Sequence, residues 1–77
     1  MKETILTILE TICEDGIVRE NPDIDLFETD LMDSLGFAEL LATVEDELDI
    51  IVAPSEVDRS VLSTPNKIIN YLEMRNV

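Results

Sequence analysis

Seventy-seven residues give one domain, 1–77, with a thin core, because a chain this short buries only about 60–65% of its unfolded surface. Eighteen acids against five bases leave a formal charge of −13, which excludes phosphate-backbone binding to nucleic acid and attraction to an anionic membrane, and favours basic protein surfaces. Hydrophobic residues at 45% are too many for a disordered acidic tail, and so few aromatics, glycines and prolines point to packed helices rather than a β-sandwich.

Residues 3–15 read as an amphipathic helix. Ile5, Leu9, Ile12 and Cys13 recur at one face with Leu6 beside them, and Gly16 suits the C-terminal cap. Cys13 on that face reads as a small buried hydrophobe. Residues 17–33 form a long connection with a turn at Asn21-Pro22. A loop of this length needs pinning, and Val18, Ile24, Leu26, Phe27 and Leu31 are available for it, with room for one short helical turn.

Residues 34–48 give the clearest helix, with Phe37, Leu40, Leu41, Val44 and Leu48 in a single apolar stripe. Its other side is acidic: from Asp33 to Asp49 there are six acids and no base. After Ile50-Ile51-Val52-Ala53-Pro54, a short helix is expected from Ser55, capped with Asp58. A last helix starts at Ser63-Thr64-Pro65, with Thr64 as N-cap, Pro65 in the first helical position, and Ile68, Ile69, Leu72 and Val77 on its buried face. The sum is an all-α bundle of three main helices and one short one, with a long loop between the first two long helices.

Much chemistry is missing. Without histidine there is no Ser-His-Asp or Cys-His arrangement, and one cysteine cannot build an ordinary structural zinc site. Asp23-Ile24-Asp25-Leu26-Phe27-Glu28 begins like an EF-hand loop, but puts Phe27 at a ligand position and Glu28 where the turn needs glycine. No catalytic residue and no metal site is assigned. The single Cys13 permits no internal disulfide, and neither a basic-then-apolar leader nor a membrane-length apolar run is seen. The sequence reads as a soluble, cytoplasmic, monomeric protein that does not insert into membranes.

The remaining constellation is Leu31-Met32-Asp33-Ser34-Leu35-Gly36, which opens the acidic helix. Asp and Ser are both favoured N-caps, so that pair alone fits simple helix capping. Three further features point to modification. Ser34 stands at an exposed helix end, and a phosphodiester made there meets backbone N–H groups and the favourable end of the dipole. Gly36, costly in a helix by up to about 1 kcal/mol, keeps the surface beside Ser34 low for an approaching partner.

These residues, with Asn21-Pro22-Asp23-Ile24, Leu26-Phe27-Glu28, Glu39-Leu40-Leu41, Val57-Asp58-Arg59 and Thr64-Pro65-Asn66-Lys67-Ile68, carry a resemblance. Over nearly its whole length the chain resembles the acyl carrier protein family, most of all the D-alanyl carriers of Gram-positive bacteria. The resemblance implies a four-helix bundle whose Ser34 carries 4′-phosphopantetheine, transferred from coenzyme A by a holo-carrier synthase that recognises Asp33. It also implies an ATP-dependent D-alanine ligase that loads the arm's thiol as a thioester, and membrane acyltransferase machinery that esterifies teichoic acids. Leu35, Glu39, Ala42, Glu45 and Asp46 match the partner-facing side of the family's second helix, to which Gly36 is added. Phe37-Ala38 replaces a Thr-Val pair common in these carriers, and Val57 and Leu62 stand where phenylalanine and tryptophan are usual.

Two alternatives stay open on sequence grounds: a carrier for a fatty or other acyl group, and an unmodified acidic helical adaptor in which Ser34 only caps its helix. In either case the surplus acids repel one another. The melting temperature of the isolated domain is therefore expected to rise with added salt or divalent cations, and a flat salt titration contradicts this.

Overall fold

The computed structural model describes residues 2–53 and 55–75, apart from the side chain of Arg59. Its elements are α1 (Lys2–Cys13), α2 (Ile17–Glu20), α3 (Ser34–Leu48), a 3-10 turn (Arg59–Leu62) and α4 (Pro65–Arg75). The described residues contain no strand, and none of their helices is long and apolar enough to cross a membrane.

α1 lies at the centre and packs against α2, α3 and α4. Ile5, Leu6, Ile8 and Leu9 are buried, so Ile8 joins the expected stripe. Ile12 and Cys13 pack against the core only in part. Cys13 is therefore half-buried rather than fully enclosed; burial, then the charge of Asp15, pushes its thiol pKa upward and keeps it protonated near neutrality.

The first helix ends earlier than the sequence suggests. α1 stops at Cys13, and the left-handed position falls on Glu14 (φ 54°), whereas Gly16 has φ −77° and precedes α2. Residues 15 and 16 already serve the next element: Asp15 Oδ1 accepts the Ile17 N–H (3.0 Å) and Gly16 O accepts the Arg19 N–H (3.0 Å). The early reversal lets α2 insert Val18 fully into the core. Arg19 then fastens α2 to α1 by donating to the Glu3 and Glu10 carboxylates and the Thr7 hydroxyl.

α2 is the short helical turn expected in the long connection, and pins hold the rest. Leu26 is fully buried, Ile24, Phe27 and Leu31 partly so, and Met32, absent from the expected set, is buried as well. The loop is also tied through its backbone. Leu26 N–H donates to Ser63 O (2.7 Å), and Leu26 O accepts Met32 N–H (2.9 Å). Asn66 holds the turn at the loop's start, its N–H on Pro22 O and its Nδ2 on Asp23 Oδ1, both at 2.9 Å.

α3 has the bounds read from the sequence, and buries Phe37, Leu40, Leu41 and Val44, with Leu48 half-buried. The expected helix at Ser55 is not formed. Ser55 lies in a turn closed by Glu56 N–H to Ala53 O (2.9 Å), and the helical residues come later, at Arg59–Leu62. The reason is spacing. Val57 and Leu62 both pack inward, yet five residues on one α-helix lie about 140° apart. A regular helix from Ser55 would instead pair Val57 with Val61, which is exposed. Pro54 and Val77 lie outside the described residues.

α4 begins as expected: Thr64 Oγ1 accepts the Lys67 N–H (3.1 Å), and Pro65, Ile68, Ile69 and Leu72 are buried. Ser63, the buried polar residue before it, donates its hydroxyl to Ser60 O and accepts from Lys67 Nζ.

α3 ends on an acid in the left-handed conformation. Asp49 has φ 57°, its N–H bonds to Glu45 O (3.0 Å), and the helix has no base in its last turn. Asparagine adopts that backbone readily and removes a negative charge from the helix's negative end. Asp49→Asn is expected to raise unfolding stability by about 0.3–1 kcal/mol in urea, and a loss of stability contradicts this.

Candidate functional site

The start of α3 is built by Asp33. Its backbone is extended (φ −101°, ψ −172°), its carboxylate accepts the Gly36 N–H (2.8 Å), and its carbonyl accepts the first intrahelical bond from Phe37 N–H (2.9 Å). The cap is therefore Asp33, and Ser34 is the first helical residue. Ser34 is exposed, and Leu35 beside it is 78% exposed, which is unusual for so large an apolar side chain.

Below this exposed step the turn is held down. Phe37 is buried and meets Phe27 edge-on, ring centroids 5.8 Å apart, so the loop and helix share one aromatic contact. Gly36 is half-buried. A Cβ placed on it would lie 3.1 Å from Met32 Cγ, 3.3 Å from Ile12 Cγ2 and 3.4 Å from Asp33 Oδ1. This corrects the sequence reading of Gly36 as a low surface for a partner: the side chain it lacks would point into the protein, and its smallness serves internal packing.

The other candidates are exposed. Leu35, Glu39, Ala42 and Asp46 fall within about 60° of one another around the helix, and Glu45 lies at their edge on the side of Ser34. Among the described residues none of the α3 acids is in an ion pair; the salt bridges are Arg19 with Glu3 and Glu10, and Arg75 with Glu56. The face therefore presents acids around one exposed leucine, and among the described residues no base is paired with them. Of the departures from the carrier pattern, Phe37, Val57 and Leu62 all face inward, so they alter packing rather than this face; only Ala38 is exposed.

Sequence reasoning missed Met32 and Ile12 as the floor under Gly36. A signal for Met32 existed: it stands just before the cap, four residues ahead of Gly36 and five ahead of Phe37, the spacing of a hydrophobic staple. Ile12 comes from α1, and no local pattern announces that contact.

The arrangement is a hydroxyl-bearing residue on an outward helix start, beside an acidic and apolar face. It offers no constellation for catalysis, and the described residues hold no group of three or more His, Cys, Asp or Glu suited to a metal ion. A family model described as "phosphopantetheine attachment site" matches residues 3–72. The chain belongs to this carrier family. The family's prosthetic group is phosphopantetheine, joined through a phosphodiester, and an exposed serine at a helix start is chemically suited to hold one.

Individual relatives agree. The chain is similar to the D-alanyl carrier protein of Bacillus subtilis, 49% identical over 71 residues, which cover 92% of this chain and 91% of that protein. It is 46% identical to that of Bacillus licheniformis over 70 residues (91% and 90% covered) and 41% identical to that of Abiotrophia defectiva over 75 residues (97% and 95% covered).

The cap can be separated from the charge. Asp33→Ala removes the acceptor for Gly36 N–H and is expected to lower stability by about 1 kcal/mol in denaturant unfolding, whereas Asp33→Asn keeps an acceptor oxygen and most of that stability. Equal losses in the two variants contradict the assignment of the cap.

Proposed function

We propose that this chain is a D-alanyl carrier protein with 4′-phosphopantetheine on Ser34. The observation that supports it best is that Asp33 caps α3, which places exposed Ser34 as the first helical residue, at the start of the acidic face. When attached, the arm supplies a flexible thiol that carries D-alanine as a thioester. The protein's own part is to present the hydroxyl, hold the helix start and offer a docking face.

Its partners are a holo-carrier synthase, an ATP-dependent D-alanine–carrier ligase and the membrane acyltransferase machinery that D-alanylates teichoic acids. Asp33, Leu35, Glu39, Ala42, Glu45 and Asp46 form the face on which they dock in turn. Attraction between this acidic face and basic enzymes speeds encounter without slowing release, and is screened by salt over a Debye length of about 8 Å. Once docked, the tether turns acyl transfer into an effectively intramolecular event. The chain acts as one carrier domain, as a monomer, in the cytoplasm, and no chemistry of its own is required.

Incubation with coenzyme A, magnesium and a holo-carrier synthase should add one phosphopantetheine mass to the wild-type protein and none to Ser34→Ala. A D-alanine ligase with ATP should then add D-alanine to the holo form. Absence of the first gain contradicts the carrier reading. Failure of the second, with loading by a fatty acyl ligase instead, contradicts D-alanine as cargo.

A further inference from the structure

We infer that Gly36 is a positioning residue for arm attachment: its missing side chain lets the first turn of α3 seat on Met32 and Ile12, and this seat sets where the Ser34 hydroxyl stands. The inference rests on Ser34 being the attachment residue. Residues two apart on a helix point about 200° from one another: Ser34 is exposed at the helix start, while the Cβ position of Gly36 is turned toward Met32 and Ile12. A methyl at position 36 requires Met32 and Ile12 to give by a few tenths of an ångström, or the turn to lift by as much.

What lies beneath does not yield easily. Met32 is 3% exposed, and its N–H is bonded to Leu26 O, while Leu26 N–H is bonded to Ser63 O at the head of α4. Ile12 belongs to α1, at the centre of the bundle. The third neighbour of an added Cβ is Asp33 Oδ1, the capping atom, which it would touch at 3.4 Å. Loop, α1 and cap therefore converge on one missing methyl, two residues from the serine.

Arm attachment needs that hydroxyl in line with its target. A bond forms between Ser34 Oγ and the coenzyme A phosphorus that bears the pantetheine, the bond from that phosphorus to the bridging pyrophosphate oxygen breaks, adenosine 3′,5′-bisphosphate leaves, and the hydroxyl proton passes to the synthase's base. Displacement of the attacking oxygen by about 1 Å can cost on the order of a hundredfold in rate. Later acyl loading is far less sensitive, since its reacting thiol is at the tip of a flexible arm.

The test compares the two steps in Gly36→Ala. Arm attachment, followed by intact mass, is expected to lose about tenfold or more in kcat with KM changed by no more than about twofold. Ligase loading of the same variant, after complete conversion to the holo form, should stay within about twofold of wild type. Met32→Leu, which branches the side chain at the carbon facing Gly36, is a second variant with the same expected split. Ala38→Gly, exposed on the same helix, should lower the melting temperature by roughly 4–8 °C yet leave attachment kcat unchanged, which separates position from stability. Unchanged attachment kcat in Gly36→Ala and Met32→Leu, equal losses in both steps, or a loss confined to KM overturns the inference. A wild-type protein that accepts no arm at all overturns the proposed function instead.

Discussion

Asp33 holds the Gly36 N–H, and this one hydrogen bond fixes where α3 begins and which side of its first turn looks outward. Shifting the cap by one residue would turn every side chain of the helix by about 100°, moving Ser34 off the exposed side and Phe37 out of the core. The apolar stripe enforces the same register from the other end, since Phe37, Leu40, Leu41 and Val44 are buried together only in this frame. Capping and burial thus agree on one orientation. That agreement, more than any property of the serine itself, is what makes a surface hydroxyl into a defined target.

Three of the five bases are deployed for structure. Arg19 fastens α2 to α1, Arg75 reaches from α4 to Glu56 and Ile51 O, and Lys67 donates to Ser60 O and Ser63 at the end of the 3-10 turn. Each joins a non-helical or short segment to a long helix. None of these three is paired with an acid of α3, and the acids of that helix repel one another. A thin core tolerates that repulsion at some cost in stability, and the uncompensated field remains available to draw a basic partner toward Leu35 and Ser34.

Local signals made much of this legible beforehand. The bounds of α3, the Thr64-Pro65 start of α4 and the pinned character of the first loop all follow from periodicity and caps, which depend on neighbouring residues only. The misses come from tertiary demands. Gly16 looked like a helix cap, but burial of Val18 required the reversal to come at Glu14. Ser55 looked like a helix start, but Val57 and Leu62 could both reach the core only if the helical residues came later. Gly36 was visible as an oddity in a helix, yet its reason lies in Ile12, 24 positions away in sequence and adjacent in space. Acidity and the Asp33-Ser34 pair pointed to the site; the packing that supports it had to be seen.

The most direct measurement is peptide mapping of the protein after the synthase has acted on it. Trypsin should release residues 20–59 as one fragment, because no lysine or arginine lies between Arg19 and Arg59. Its hydroxyl residues are Thr29, Ser34, Thr43 and Ser55, and fragmentation can tell them apart. The phosphopantetheine mass is expected on Ser34 alone; its location on any of the other three, or on a different fragment, would contradict Ser34 as the attachment residue.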